Sequence, residues 1–177
     1  YEYAKQRRFW VPLGKIPKKL QNAFLAAEDK NFYQHVGIDF SGVIRSIVVN
    51  TFTNSWQRRP LGASTITQQL AKNIFVGNEC SMQRKIKEAI LAFRIENCLS
   101  KDRILELYLN EIYLGEKSYG VAAAAKTYFQ KQLSELTVDE MAFLAALPKA
   151  PSLFHPHKNP ERTLARRNWV LSRMYDN

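Results

Sequence analysis

Apolar residues recur at helical spacing along most of this 177-residue chain, and no set of alternating strands interrupts them. That period confines the chain to packed helices. From Pro17, residues Leu20, Ala23, Phe24 and Ala27 follow i, i+3, i+4, i+7, which is one buried helical face. Pro17 suits a first helical turn, where its missing N–H costs little. Ile86, Ala89, Ile90 and Phe93 predict another amphipathic helix. Ile104, Leu105, Tyr108 and Leu109 predict a third, with Ser100 as its cap. Ala122 to Ala125, followed by Tyr128, is helix-prone and small enough to pack closely. Thr65-Ile66-Thr67-Gln68 and Thr137-Val138-Asp139-Glu140 both have capping-box spacing, and Leu136 and Met141 flank the second as a hydrophobic staple. The first of these helices should run to about Ile74 and the second should stop at Pro148. Asn159 and Pro160 open a last helix through Trp169 and Leu171. Val43 to Val49 is β-branched and fits a strand or a buried helix; the helical neighbours favour helix. Thr51 to Leu61 is polar, with Asn54, Arg58, Arg59 and Pro60, and reads as a mobile loop. The fold class is mainly α, with about eight helices.

Apolar residues make up 46% of the chain, which argues against disorder. Lys and Arg number 26 against 16 Asp and Glu, a net charge of +10. Such a balance excludes an acidic solvating tail and points to an anionic partner: nucleic acid, a membrane surface or a phosphate-bearing substrate. Lys5, Arg7, Arg8, Lys15, Lys18 and Lys19 crowd the start, interleaved with Trp10, Val11, Leu13 and Ile16. That mixture fits a membrane-surface arm or an extended lead-in docked on the domain. Residues 1–16 are therefore taken as a lead-in arm and 17–177 as one domain. No apolar run reaches the roughly 18 residues of a membrane span. The opening Tyr1-Glu2-Tyr3 carries neither Met nor a signal peptide, so the chain reads as cut from a longer one. Cys80 and Cys98 lack CxxC spacing and read as unpaired thiols, which leaves the redox compartment open. His155 and His157 form an H-x-H without a third ligand nearby, so a proline-flanked loop is the better reading than a metal site.

Three segments could carry chemistry. Glu28 and Asp29, with Phe32 and His35, close an amphipathic helix, and a half-buried carboxylate at such an end can act as acid or base. Ser64 and Thr65 open a helix whose free N–H groups can hold an anion. On that helix Gln69, Lys72 and Asn73 share one face. Arg84 and Glu88 stand four apart, either as a plain ion pair or as a phosphate grip with its carboxylate beside it.

Together these segments resemble the peptidoglycan glycosyltransferase domain, glycosyltransferase family 51, found in class A penicillin-binding proteins and monofunctional glycosyltransferases. The first family motif, E-D-x-x-F-x-x-H-x-G, is matched by Glu28, Asp29, Phe32, His35 and Gly37. The second, G-x-S-T-x-T-Q-Q, is matched by Gly62, Ser64, Thr65, Thr67, Gln68 and Gln69, and runs on into Lys72 and Asn73. The third, R-K-x-x-E, is matched by Arg84, Lys85 and Glu88. Lys101 through Asn110 resembles the fourth, with Ile104, Leu105, Glu106, Tyr108, Leu109 and Asn110 in register, and Leu147 through Ser152 the fifth. All five stand in family order.

The resemblance implies a lysozyme-like fold with a larger helical lobe and a smaller membrane-proximal lobe. It implies polymerisation of lipid II on the outer face of a bacterial cytoplasmic membrane, with inversion from an α-linked donor to a β-1,4 glycan. Glu28 would be the general base on the acceptor 4-hydroxyl. Lys72, Arg84, Lys85 and Lys149 would meet the leaving diphosphate. Glu88 would sit by that diphosphate, either through a divalent metal (Mg²⁺ or Mn²⁺) or by holding the basic residues. Asp29 and His35 would shape the first-motif loop, and Thr65, Gln68 and Gln69 would bind sugar or phosphate oxygens. The partners implied are lipid II, the lipid-linked glycan chain and the membrane surface. The stretch Arg166-Arg167-Asn168 to Met174 resembles the exit of this domain in bifunctional proteins. A transmembrane helix before this stretch of chain and a transpeptidase domain after it are expected in the parent. No Ser-x-x-Lys suited to β-lactam acylation appears.

Three rivals remain. A nucleic-acid module would draw on the charge and on Trp10, Trp56 and Trp169, but acids interrupt most helices, so no nucleic-acid partner is expected. A lysozyme-like glycan hydrolase would use two carboxylates, yet its neutral sugar leaving group needs no cationic clamp. A partner-binding remnant would keep the motifs without turnover.

Overall fold

The computed structural model describes residues 7–52, 64–75, 82–154 and 156–176. Among these, eight α-helices carry the fold: α1 Lys18–Glu28, α2 Phe40–Phe52, α3 Ile66–Phe75, α4 Met82–Cys98, α5 Lys101–Glu111, α6 Val121–Phe129, α7 Val138–Ala146 and α8 Pro160–Tyr175. Two strands of two residues each, β1 Arg7–Arg8 and β2 Ser118–Tyr119, pair in parallel. The mainly α reading holds. The chain divides into two compact units, Tyr1–Lys30 with Asp102–Asn177, and Asn31–Lys101.

In the first unit α1, α7 and α8 pack on one another. α1 buries Leu20, Ala23 and Phe24, as its period predicts, while Ala27 at the far end of the same face is only half-buried. Pro17 stands one residue ahead of the helix, at its N-cap, rather than in its first turn. Gln21 is also buried, because its amide donates to the carbonyls of Leu13 at 3.0 Å and Ile16 at 2.8 Å and so satisfies the 3-10 turn Leu13–Lys15. Both residues of the staple, Leu136 and Met141, are buried, and the Thr137/Glu140 capping box forms. Asn159 does cap α8, but its side chain makes no capping bond; the Thr163 hydroxyl donates to its carbonyl at 2.8 Å.

The fourth motif builds this unit. Ile104, Leu105, Tyr108 and Leu109 on α5 are all 0% exposed. Asn110 exchanges two bonds with Val11: the Val11 N–H donates to Oδ1 at 2.8 Å and Nδ2 donates to the Val11 carbonyl at 2.9 Å. The Leu13 N–H donates to Glu106 Oε2 at 2.7 Å. Residues 7–16 are therefore laid along this unit by main-chain bonds, with Leu13 and Ile16 buried.

In the second unit α3 packs on α4. The Val43 to Val49 stretch is helix, as its neighbours suggest, and one apolar face of α2 is turned outward: Phe40, Ile44 and Val48 stand one turn apart and are 68%, 63% and 47% exposed. α4 forms where the amphipathic period predicts a helix, and its apolar stripe is the outward one. Ile86, Ile90 and Phe93 lie outward, and Glu88 and Ala92 lie inward. A helical period reports that a stripe is apolar; it does not report what covers the stripe. Of the segment read as a mobile loop, residues 53–61 lie outside the described residues, as does Cys80. Cys98 is a free, exposed thiol.

Asp39 caps α2, accepting from the Gly42 N–H at 2.9 Å, the Ser41 hydroxyl at 2.6 Å and Asn31 Nδ2 at 3.2 Å. Burial opposes ionisation of this carboxyl, yet the bonds from Ser41, Gly42 and Asn31 outweigh it and hold its pKa below the usual carboxylate range. A depressed carboxylate stabilises the fold above its unfolded pKa and loses that effect as pH falls through its folded pKa. Asp39→Ala should cost about 1 kcal/mol at neutral pH. The difference should close in acid, as read from urea midpoints across the acid range.

Candidate active site

The first unit holds Glu28, Asp29 and Lys149. Glu28 is the last residue of α1, and Asp29 is its C-cap, buried, with its N–H donating to the Leu25 carbonyl at 2.9 Å. The Glu28 side chain is 11% exposed, and its Oε1 lies 3.8 Å from Arg166 Nη2 on α8. Arg166 is itself 12% exposed and stacks on Trp169, 3.9 Å from guanidinium carbon to ring centre. Burial pulls its pKa down and the Glu28 carboxylate pushes it back up. Tyr108, fully buried on α5, is pushed well above the ordinary phenol value by burial and by the carboxylates of Glu28 and Asp29, so its hydroxyl stays protonated. Lys149 is exposed in the turn after α7. Arg166 was not among the residues expected in the site. Its place on the Arg166-Arg167 pair was visible, but the partner that makes it matter is 138 positions away.

The second unit holds the rest. Phe32 is fully buried, with the Lys101 ammonium 4.5 Å from its ring centre and the His35 ring edge-on at 6.2 Å. Gly37 takes φ +85, and a Cβ there would stand 3.0 Å from the Ala92 carbonyl, so only glycine lets this loop lie against α4. Thr65 ties the second motif to the first, donating from its hydroxyl to the Gly37 carbonyl at 2.6 Å. The capping box forms as read: the Thr65 N–H donates to Gln68 Oε1 at 3.0 Å, and the Gln68 N–H donates to the Thr65 hydroxyl at 3.2 Å. Gln69 is partly exposed, while Lys72 and Asn73 are exposed on α3. Ser64 is exposed and accepts from Lys85 Nζ at 3.5 Å. Gly62 lies outside the described residues.

Glu88 is 1% exposed, with one oxygen 3.1 Å from Arg84 Nε and the other 2.6 Å from Lys85 Nζ. A carboxylate this deep is stable when its charge is matched, and here two cations match it. A divalent Mg²⁺ or Mn²⁺ wants several hard oxygens. Among the described residues no group of three or more His, Asp, Glu or Cys could hold a metal. Glu88, with both oxygens turned to cations, does not fit the ligand role. A second buried chain was not foreseen: the Thr67 hydroxyl and Lys101 Nζ both donate to Glu96 Oε1, at 2.6 and 2.7 Å. It ties α3 and α4 to the start of the fourth motif, and thence to Phe32.

The family model for transglycosylases matches residues 1–175. The chain belongs to the transglycosylase family. This transglycosylase is 52% identical to penicillin-binding protein 1A of Rickettsia felis over 99% of its length, 53% identical to that of Aquifex aeolicus over 97%, and 51% identical to that of Neisseria lactamica over 98%. It spans only 22%, 23% and 21% of those proteins' lengths. Its fold resembles penicillin-binding protein 1A from Haemophilus influenzae, with a TM-score of 0.53 and 35% identity over 97% of this chain and 15% of that one. No helix among the described residues of the transglycosylase is long and apolar enough to cross a membrane.

Proposed function

We propose that this domain polymerises lipid II into β-1,4-linked glycan strands at the outer face of the bacterial cytoplasmic membrane. The observation that carries the reading is buried Glu88 between Arg84 and Lys85, in a chain whose family is transglycosylase. A diphosphate leaves with its negative charge, so it needs fixed cations more than a proton. Glu88 is a positioning residue for two of them. It holds Arg84 in place and restrains Lys85, whose side chain is 51% exposed and so remains within reach of a ligand. Lys72 and Lys149, both exposed, are the further cations of the clamp.

Glu28 accepts the proton of the acceptor 4-hydroxyl as that oxygen attacks the anomeric carbon. The bond from that carbon to the diphosphate oxygen breaks, and both its electrons leave with the diphosphate. One displacement of this kind inverts the configuration. Arg166 keeps the Glu28 side chain in place through charge attraction, without itself touching substrate. Asp29, Phe32 and His35 shape the first-motif loop, Thr65 and Gln68 hold that loop to α3, and Gln69 and Asn73 face the sugar. The outward stripes Phe40, Ile44, Val48 and Ile86, Ile90, Phe93 fit a membrane-proximal lobe, since large exposed apolar patches mark membrane or partner contact. The parent protein is membrane-anchored and carries a transpeptidase domain.

The deciding experiment gives the chain lipid II in detergent and looks for glycan polymer. Release of reducing ends from finished peptidoglycan, without polymer, would instead mark a hydrolase. Lys72→Ala and Arg84→Ala should each weaken donor binding by about tenfold or more, the scale of one charge-assisted contact to phosphate. Unchanged affinity in both, measured by calorimetry with a diphosphate-bearing analogue, would dismiss the clamp.

A further inference from the structure

We propose that the first unit carries a separate site for the headgroup of an anionic phospholipid. A cavity of about 370 Å³ is lined by Lys15, Lys126 and Lys131 together with Phe9, Val11 and Leu133. Among the described residues, none of the five motifs lines it, and neither does any carboxylate. Lys131 is matched by Glu140, with Nζ 2.7 Å from Oε1. Lys15 and Lys126 meet no carboxylate among the described residues, and Lys126 Nζ lies 5.8 Å from the centre of the Phe9 ring. Among the described residues the cavity therefore presents two ammonium groups that no carboxylate meets, beside an aromatic and aliphatic surface.

That pairing selects the occupant. The lysines call for an anion. Phe9, Val11 and Leu133 call for an apolar body joined to it. A sugar phosphate would need many hydroxyl partners, but among the described residues the further polar lining comes from Gln132 and Ser134. Gln132 is already engaged in a capping box with Glu135, closing the 3-10 turn Leu133–Glu135. The volume is on the scale of a small-molecule site rather than of a bare ion. Beside it Phe9 and Trp10 are 49% and 50% exposed, and half-exposed aromatics with lysines are the side chains that seat a protein at a membrane–water interface. A phosphodiester bearing acyl chains satisfies all of these features.

The inference deepens the membrane-surface reading above and is tested by co-sedimenting the whole chain with vesicles of phosphatidylcholine, with and without phosphatidylglycerol. Binding should be tighter to the mixed vesicles. Lys15→Ala/Lys126→Ala should remove that gain by about tenfold or more, because each lysine at an anionic surface contributes severalfold. Phe9→Ala, which changes no charge, should also weaken it. Lys18→Ala/Lys19→Ala removes equal charge from outside the cavity and should cost less. Equal losses in the two double variants would leave only diffuse attraction and overturn the site. Soluble glycerol phosphate should fail to compete with the vesicles; effective competition would mean a free-anion site and overturn the lipid assignment. Equal binding to both vesicles overturns the headgroup site alone, whereas binding to neither overturns the membrane reading as well.

Discussion

Glu28→Gln should lower glycan polymerisation by about 10²–10⁴-fold, the contribution of a positioned general base. Gln keeps the shape of Glu, and its oxygen can still face Arg166, which lies 3.8 Å from the carboxylate in the wild type. What it loses is the ability to take a proton from the acceptor hydroxyl. Binding of a lipid II analogue should therefore stay at the wild-type value while turnover collapses, and the melting midpoint should fall, because Arg166, 12% exposed, loses its matching charge. Full polymerisation by the variant would remove Glu28 from the base role. A loss of analogue binding equal to the loss of rate would make Glu28 a binding group instead. Arg166→Lys separates the positioning role from a purely structural one. It keeps the charge and loses the planar contact with Trp169, so it should lower kcat with little change in KM.

Gly120→Ala should destabilise the first unit by about 3 kcal/mol or more, combining a glycine-only backbone region with an overpacked contact. Gly120 sits at φ +80 and ψ 159, directly ahead of α6. An added Cβ would stand 2.4 Å from the Asn110 carbonyl oxygen and 2.9 Å from its carbon. Main chain on both sides leaves nothing flexible to yield. The damage should spread, because Asn110 is the residue that pairs with Val11 in the lead-in segment. Thermal melting should show a clear drop in midpoint, and hydrogen exchange should show faster opening at Val11 and Leu13. A midpoint within a degree or so of wild type would contradict the close approach.

Much of the fold is written locally. Thr65 with Gln68, Thr137 with Glu140, and Pro160 after Asn159 each mark a helix start within four residues, because capping is a bond between near neighbours. The periods of Leu20 to Phe24 and of Ile104 to Leu109 likewise end in buried faces. The period of Ile86, Ile90 and Phe93 predicted the helix but not its exposed stripe, since an apolar stripe turned to solvent or lipid has the same period as one turned to protein. The motif residues Glu28, Arg84, Lys85 and Glu88 could be named from spacing and resemblance. Asp39 was missed as a cap because a lone Asp before Phe-Ser-Gly lacks the Glu or Gln that completes a capping box.

The sequence by itself determined the helical class, several helix starts, the family and the Arg84–Glu88 pair, all of which depend on neighbours a few positions apart or on fixed motif order. Only the tertiary structure decided that Arg166 stands beside Glu28, that Asn110 pins Val11, that Glu96 joins Thr67 to Lys101, and that Lys15 lines one cavity with the distant Lys126 and Lys131. Those contacts join residues from 5 to 138 positions apart. Contacts of that kind follow from how α1, α5, α6 and α8 pack, and helix packing depends on the shapes of whole faces, which no short stretch of sequence contains.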